Sequence, residues 1–100
     1  MLGNARLKPS ATTLSTLFTA TTDSVVSSIV VTNLGAASSF RIALRPLGTA
    51  IDNSHYLYYD LPIDANDTFI LTIGISLVNT DVISVYSTSG NISFNLFYTT

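Results

Sequence analysis

The chain consists of short runs in which apolar and polar residues alternate, separated at regular intervals by Gly, Pro, Asn and Asp. In residues 40–45, for example, Phe40, Ile42 and Leu44 alternate with Arg41, Ala43 and Arg45. Successive side chains of a β-strand point to opposite faces, so this pattern predicts strands with one buried face. Residues 25–33 are apolar on both faces, which is typical of a central strand. No segment carries a 3.6-residue pattern long enough for a helix.

The number and spacing of these runs predict the fold. A chain of 100 residues has the length of one domain with one core. Seven or eight evenly spaced strands in that length indicate an all-β fold, an antiparallel two-sheet β-sandwich, with the jelly roll as one available topology. Residues 1–12 lack a sustained pattern, and we expect them to form an extended N-terminal arm. Residues 13–100 then form the sandwich domain.

The composition predicts association. Only 10% of the residues are charged and 47% are hydrophobic, whereas soluble domains usually have about 25% charged residues. Surfaces of this kind either aggregate or serve as interfaces. We therefore expect the chain to bind copies of itself, as a dimer or trimer, or to dock onto a larger body.

The charges are distributed unevenly along the chain. Four basic residues and Asp23 give residues 1–45 a net charge of +3, and five aspartates give the remainder a net charge of −5. Opposed charges of this kind orient one copy against another or against a charged partner. Four basic residues in an acidic chain are too few for a phosphate-neutralising patch, so nucleic acid is not an expected partner.

The sequence predicts no membrane partner. Charges interrupt residues 1–9, where a signal peptide would need its apolar stretch. No run reaches the roughly 18 apolar residues of a membrane-spanning helix.

Reactive side chains are scarce, and the chain has no Cys, Trp or Glu and a single His. A Ser, His55 and Asp60 are present, but no motif places them as a catalytic triad. We expect no catalytic residue and no cofactor, and we expect His55 to be a hydrogen-bonded surface residue. Asp60, Asp64 and Asp67 offer the oxygens that Ca²⁺ prefers, although turn capping explains them better and the spacing matches no calcium loop.

Two tyrosines on one face of the predicted strand at 55–62 suggest a binding surface. Tyrosine gives a large contact area with few rotamers to immobilise, which suits a protein interface. Aromatic rings beside Asp and Asn also suit a carbohydrate, so a glycan site is the alternative. The candidate interface residues are Arg6, Lys8, Arg41, Arg45, Tyr56 and Tyr58.

Several segments together resemble a family of short virion structural proteins of tailed bacteriophages, cyanophages among them. The resemblance covers residues 12–97, nearly the whole domain. It is carried by TTLSTLFT (12–19), VVSSIVVTN (25–33), FRIALRP (40–46), HYLYYDLPI (55–63), NDT (66–68), DVISVY (81–86) and SFNLF (93–97).

The resemblance implies a non-enzymatic structural part of a phage particle. We expect a head decoration or cement protein, which would assemble as an oligomer on the particle surface and clamp neighbouring subunits of the major capsid protein. In that case Arg6 and Lys8 of the arm would reach an acidic neighbour. The alternative is a tail, neck or fibre component, including a module that binds host glycans.

Overall fold

The computed structural model describes residues 1–100 and contains nine β-strands and no α-helix. Two short 3-10 turns lie between the fourth and fifth strands, at Pro46–Gly48 and Asn53–His55. The structure contains no helical segment that could span a membrane. The strands are β1 Leu2–Leu7, β2 Ser15–Thr19, β3 Ser24–Asn33, β4 Ser38–Arg45, β5 Tyr56–Ile63, β6 Thr68–Leu71, β7 Ile75–Leu77, β8 Val82–Ser87 and β9 Ile92–Thr99.

The strands form two antiparallel sheets, as the sequence predicts. The five-stranded sheet has the order β1-β9-β3-β6, with β7 beside β6 on the same edge of β3. The four-stranded sheet has the order β2-β8-β4-β5. β3 is central, as its doubly apolar sequence indicates, because it pairs with β9 on one side and with β6 and β7 on the other.

The antiparallel strand pairs are nested along the chain, as in one long β-hairpin whose two arms are folded together into two sheets. Its tip is the β4–β5 pair, followed outwards by β3 with β6 and β7, then β2 with β8, then β1 with β9. Successive pairs belong to alternate sheets. Rolling creates the two remaining pairings, β3 with β9 and β4 with β8. Because of this, strands distant in sequence lie side by side.

The core is the space between the two sheets, filled by the inward side chains of both. Phe40 of β4 and Phe94 of β9 are fully buried and meet edge to face across this space, with ring centroids 5.9 Å apart. Phe69 of β6 packs on Phe40 at 5.7 Å. Aromatic rings packed in this way contribute more than their buried area alone. These contacts hold the sheets face to face.

A buried asparagine connects the end of β3 to the turn between β5 and β6. The Asn33 side-chain amide donates to the carbonyls of Ala36 and Asp64 at 2.9 and 3.1 Å, and its Oδ1 accepts from the Gly35 amide at 3.1 Å. Asn33 is 1% exposed. Its polar atoms are all paired, which is the condition for burying such a group at little cost.

The N-terminal segment differs from the prediction of an extended arm over residues 1–12. Residues 2–7 are extended, but they form β1 of the five-stranded sheet instead of an arm separate from the sandwich. Gly3, Ala5 and Leu7 form the inward side of β1. A Cβ at Gly3 would overlap the Tyr98 ring, and Ala5 and Leu7 pack against the core. This strand is the ninth, beyond the seven or eight predicted.

Removal of residues 1–8 tests whether β1 belongs to the fold. The core would lose the side chain of Leu7, which packs against it, and β9 would lose its outer partner. We expect the free energy of unfolding to fall by about 2 kcal/mol or more, since burial of a leucine contributes about that much. The melting temperature should then fall by roughly 10 °C in calorimetry. Lys8→Ala is the matched control because Lys8 is exposed, and an unchanged melting temperature after the deletion would mean that β1 is dispensable.

Substitution Phe40→Ala tests the core contact between the sheets. Deleting a buried phenylalanine side chain costs about 3–5 kcal/mol through lost transfer energy and the cavity left behind. We expect that loss in urea unfolding at 25 °C. Ile70→Ala on the outer face, where Ile70 is 60% exposed, should change the free energy by less than about 0.5 kcal/mol. Equal effects of the two substitutions would contradict the description of the core.

Candidate interaction surface

Arg41 lies in the middle of β4, on the outer face of the four-stranded sheet, opposite Tyr86 of β8. Its guanidinium carbon is 4.2 Å from the centroid of the Tyr86 ring and 4.1 Å from that of Tyr59 in β5. The Tyr56 ring lies further away, at 5.9 Å. A guanidinium within about 6 Å of a ring face is attracted by the ring quadrupole. Arg41 is thus held between rings from both neighbouring strands.

An ion pair fixes the same guanidinium. Arg41 Nε donates to Asp60 Oδ1 at 2.6 Å, and Nη2 approaches Oδ2 at 3.4 Å. Asp60 has a φ of 51°, a left-handed conformation that aspartate adopts more readily than most residues. The hydrogen bond that Arg41 donates to the Asp60 carboxylate, only partly opposed by desolvation, raises the pKa of Arg41 further above its ordinary value. We name Arg41, Tyr56, Tyr59, Asp60 and Tyr86 the Arg41 cluster.

An open cleft adjoins this cluster. Tyr56 and Tyr59 meet edge to face with centroids 4.9 Å apart and an interplanar angle of 79°. Together with Asn53 they line a cleft of about 450 Å³. Tyr59 is 57% exposed. The cleft therefore offers a fixed aromatic surface next to a polar amide and an ion pair.

The 3-10 turn beside the cleft is capped by its own side chains. Asp52 accepts hydrogen bonds from the Ser54 amide and hydroxyl, and these bonds lower the pKa of Asp52. His55 Nδ1 accepts from the Asp52 amide at 3.1 Å, which confirms that His55 makes a surface hydrogen bond. The turn that carries Asn53 is consequently well defined.

Tyr58 does not lie on this surface, contrary to its prediction as an interface residue. It packs against the core, with its ring 5.5 Å from that of Phe69. The pairing of β4 with β5 shifts register between Phe40 and Ile42, so the simple alternation of β5 is broken. Such a bulge changes which face a side chain occupies. Tyr59 takes the outward position instead.

The other basic residues predicted for the interface lie apart from one another. Arg45 is tied to its own chain, because Nε donates to Ser84 Oγ at 3.1 Å and Nη1 donates to the Thr49 carbonyl at 3.0 Å. Arg6 lies on the outer face of β1 in the opposite sheet, and Lys8 follows that strand. Both are exposed. Arg41 and Tyr56 are the two predicted residues that the fold brings together.

The acidic turn between β5 and β6 has structural contacts. Asp67 Oδ1 accepts from the Thr68 amide at 2.8 Å, and the Asp67 carbonyl accepts from the Asn33 amide at 2.9 Å. Asp60 lies in the ion pair with Arg41. No group of three or more His, Asp or other acidic residues is placed to hold a metal ion.

The outer face of the five-stranded sheet carries few charges. Arg6 is the one charged residue among its strands, and the remaining outward residues are mostly Ser, Thr, Asn and aliphatic side chains. Phe97 and Leu2 line a cleft of about 310 Å³ near β1. Large apolar side chains left exposed on this face are Leu2, Val25, Ile70 and Phe97.

The coupling between Arg41 and Asp60 can be measured with the variants Arg41→Ala, Asp60→Ala and the double variant. The Asp60 side chain is 43% exposed, so solvent screens the pair and we expect a coupling free energy of only about 0.5–1 kcal/mol. It should fall in 1 M salt, where charges are screened within about 3 Å. Asp64→Ala is the control, and a coupling of zero would show that the pair is not formed in solution.

Comparison with known proteins gives a match in structure alone. No known protein family and no curated protein matches the sequence. Among solved structures, the fold is similar to a chain of the acidic stable capsid structure of the Helicobacter pylori bacteriophage KHP30, with a TM-score of 0.59 and 12% sequence identity. The match covers 98% of this chain and 85% of that chain. At that identity the similarity concerns the fold.

Proposed function

We propose that the chain is a non-enzymatic structural protein of a phage virion, and more specifically a head decoration or cement protein. The observation that carries the proposal is the similarity in fold to a phage capsid chain over almost the entire length of this chain. That capsid belongs to a Helicobacter phage, so the match does not favour cyanophages as the source. Among the roles in a virion, we propose decoration because the chain forms a small domain and has no long shaft or coiled-coil segment.

The strand order supports the proposal. We infer that the sandwich is a jelly roll, because its eight strand positions, with β6 and β7 sharing one, form two four-position sheets from a single rolled hairpin. Jelly rolls recur in viral capsid proteins and in lectins. The topology alone therefore fits both a coat component and a glycan-binding module.

The surface supports a role in assembly over a role in catalysis. His55 is occupied as a turn cap, Asp60 is paired with Arg41, and Asp81 accepts hydrogen bonds from the amides of Leu47 and Val78. These groups stabilise the fold. The exposed apolar side chains on the five-stranded sheet and the tyrosines of the Arg41 cluster remain available for contact, as interfaces require.

For the contact with capsid subunits we propose the Arg41 cluster, with Tyr56 and Tyr59 as its aromatic residues. Interface energy usually concentrates in a few Tyr, Trp and Arg residues near the centre of the contact. Arg6 and Lys8 supply positive charge on the other sheet, where they would meet acidic neighbours. Arg45 donates to the carbonyls of Gly48 and Thr49 and so holds that loop in place.

The test uses virions of the phage that encodes the chain, and purified protein added to particles that lack it. Quantitative mass spectrometry should find on the order of hundreds of copies per particle, as capsid symmetry demands of a coat component. The variant Tyr59→Ala should bind particles at least about tenfold more weakly, the loss typical of a central aromatic residue. Asp64→Ala is the control, because Asp64 is exposed in the turn between β5 and β6 and lies outside the Arg41 cluster. Absence of the protein from virions would refute the proposed function.

A glycan-binding tail module is the second candidate, favoured by the cleft at Tyr56, Tyr59 and Asn53. One face of the Tyr59 ring is covered by Arg41, and the ring remains 57% exposed. Stacking on a sugar with an amide beside it would suit that arrangement. A copy number of about a dozen or fewer, together with specific binding on a glycan array that Tyr59→Ala abolishes, would favour this candidate over decoration.

A further inference from the structure

The two sheets have four edges, and three of them are interrupted. The β5 edge contains two register shifts and Pro62, and the β2 edge shifts register between Thr16 and Phe18. The remaining edge of the five-stranded sheet is divided between β6 and β7, which are four and three residues long. Bulges, prolines and short strands are the usual means by which proteins block pairing at an edge. β1 has none of them, since Leu2–Leu7 pairs with β9 in an unbroken register.

The pairing of β1 with β9 determines which of its backbone groups are free. Met1 and Thr100 exchange both hydrogen bonds at 2.9 Å. In an antiparallel pair, hydrogen-bonded and non-hydrogen-bonded residues alternate. The amides and carbonyls of Gly3, Ala5 and Leu7 therefore face β9, and those of Leu2, Asn4 and Arg6 face away from the sheet. The side chains of the latter three are exposed on the outer face.

We propose that β1 pairs antiparallel with β1 of a second copy across a two-fold axis at Asn4, joining the two five-stranded sheets into one continuous sheet. The proposal rests on the proposed function to the extent that it specifies how the virion protein associates with itself. We infer a second copy as the partner because, in this register, the free amides and carbonyls of one β1 strand face those of the other. A net charge of −2 per chain also opposes association only weakly.

Few registers are available for the pairing of the two β1 strands, because only alternate residues direct their backbone groups away from β9. Pairing Asn4 with Asn4 places Leu2 opposite Arg6 on both sides of the axis, and all three outward residues of each strand form hydrogen-bonded pairs, giving about six bonds. In this register the two Arg6 residues lie roughly 13 Å apart along the strands. A shift of two residues towards Arg6 would lose one pair and bring the two positive charges closer.

The same register covers the most exposed apolar side chain of the edge. Leu2 is 85% exposed and lines the cleft that also contains Phe97. The methylene stem of Arg6 from the second copy would lie over Leu2, leaving its guanidinium in water. Pairing of the two edges would thus reduce exposed apolar area as well as satisfy backbone groups.

A single cysteine tests this register, because the chain contains none of its own. In the variant Asn4→Cys, the two thiols face each other across the axis with Cα atoms about 5.5 Å apart, within the range that a disulfide spans. We expect mild oxidation to give a covalent dimer at least about tenfold faster than for Arg6→Cys, whose thiols are distant from each other. Mixing Leu2→Cys with Arg6→Cys should give the mixed dimer. Equal rates for Asn4→Cys and Arg6→Cys would overturn the proposal.

The variant Asn4→Pro tests the hydrogen bonds themselves. Proline removes an N–H that faces away from β9, so β1 should remain in its own sheet, where edge strands tolerate proline in that position. We expect the native protein to sediment as a dimer and Asn4→Pro as a monomer with a melting temperature within a few degrees of the native value. A native protein that stays monomeric at high concentration, or an Asn4→Pro variant that stays dimeric, would refute the pairing.

The presence of the protein in virions and its oligomeric state in solution test the proposed function and the pairing of β1 separately. If the native protein is present in virions but sediments as a monomer, the pairing of β1 is wrong and the virion role stands. If the Asn4→Cys variant forms the disulfide dimer but the protein is absent from virions, the pairing is correct and the proposed function is wrong.

Discussion

The contact between the two sheets at Phe40 is the constraint on which the rest of the structure depends. Phe40 packs against Phe94 and Phe69 of the opposite sheet, so its position determines which face of β4 is buried. The register of β4 with β8 and β5 then determines what lies on the outer face, because a shift of one residue would exchange the two faces. Arg41 lies outside because Phe40 and Ile42 lie inside. The Arg41 cluster is in this sense a consequence of the core.

Sequence pattern predicted the strands whose inward residues are large. In β4 and β9 the alternation of Phe, Ile and Leu with polar residues is unambiguous, and β3 is apolar enough to be assigned to the centre. β1 escaped prediction because two of its inward residues are Gly3 and Ala5, which are too small to produce a visible pattern. Gly3 is small because the Tyr98 ring occupies its place. That fact depends on a residue at the other end of the chain, and only the folded structure shows it.

The candidate surface was also predictable only in part, because it too depends on contacts between residues that are distant in sequence. Arg41 and Tyr56 could be assigned to an outer face from their own strands, whereas Tyr86 could not be connected with them without the β4–β8 register. The exchange of Tyr58 and Tyr59 follows from the irregular pairing of β4 with β5. A bulge adds one residue to a strand without changing its hydrophobic composition, so period-two analysis assigns the residues beyond it to the wrong face.

Several of the few charged side chains of this chain take part in contacts within the fold. Arg41 pairs with Asp60, Arg45 donates to backbone carbonyls, and Asp81 is 7% exposed and accepts from two amides. The Arg41–Asp60 pair and the hydrogen bond from the Leu47 amide to Asp81 join segments that lie 19 and 34 residues apart in the sequence. Apart from exposed charges such as Arg6 and Lys8, the surface left for association is made of backbone edges, hydroxyls, aliphatic side chains and tyrosine rings. Contacts between such groups depend on shape and hydrogen bonding and respond little to salt, since screening acts on charges. Under the proposed function, the scarcity of charge therefore suits the chain to contacts of this kind within an assembly.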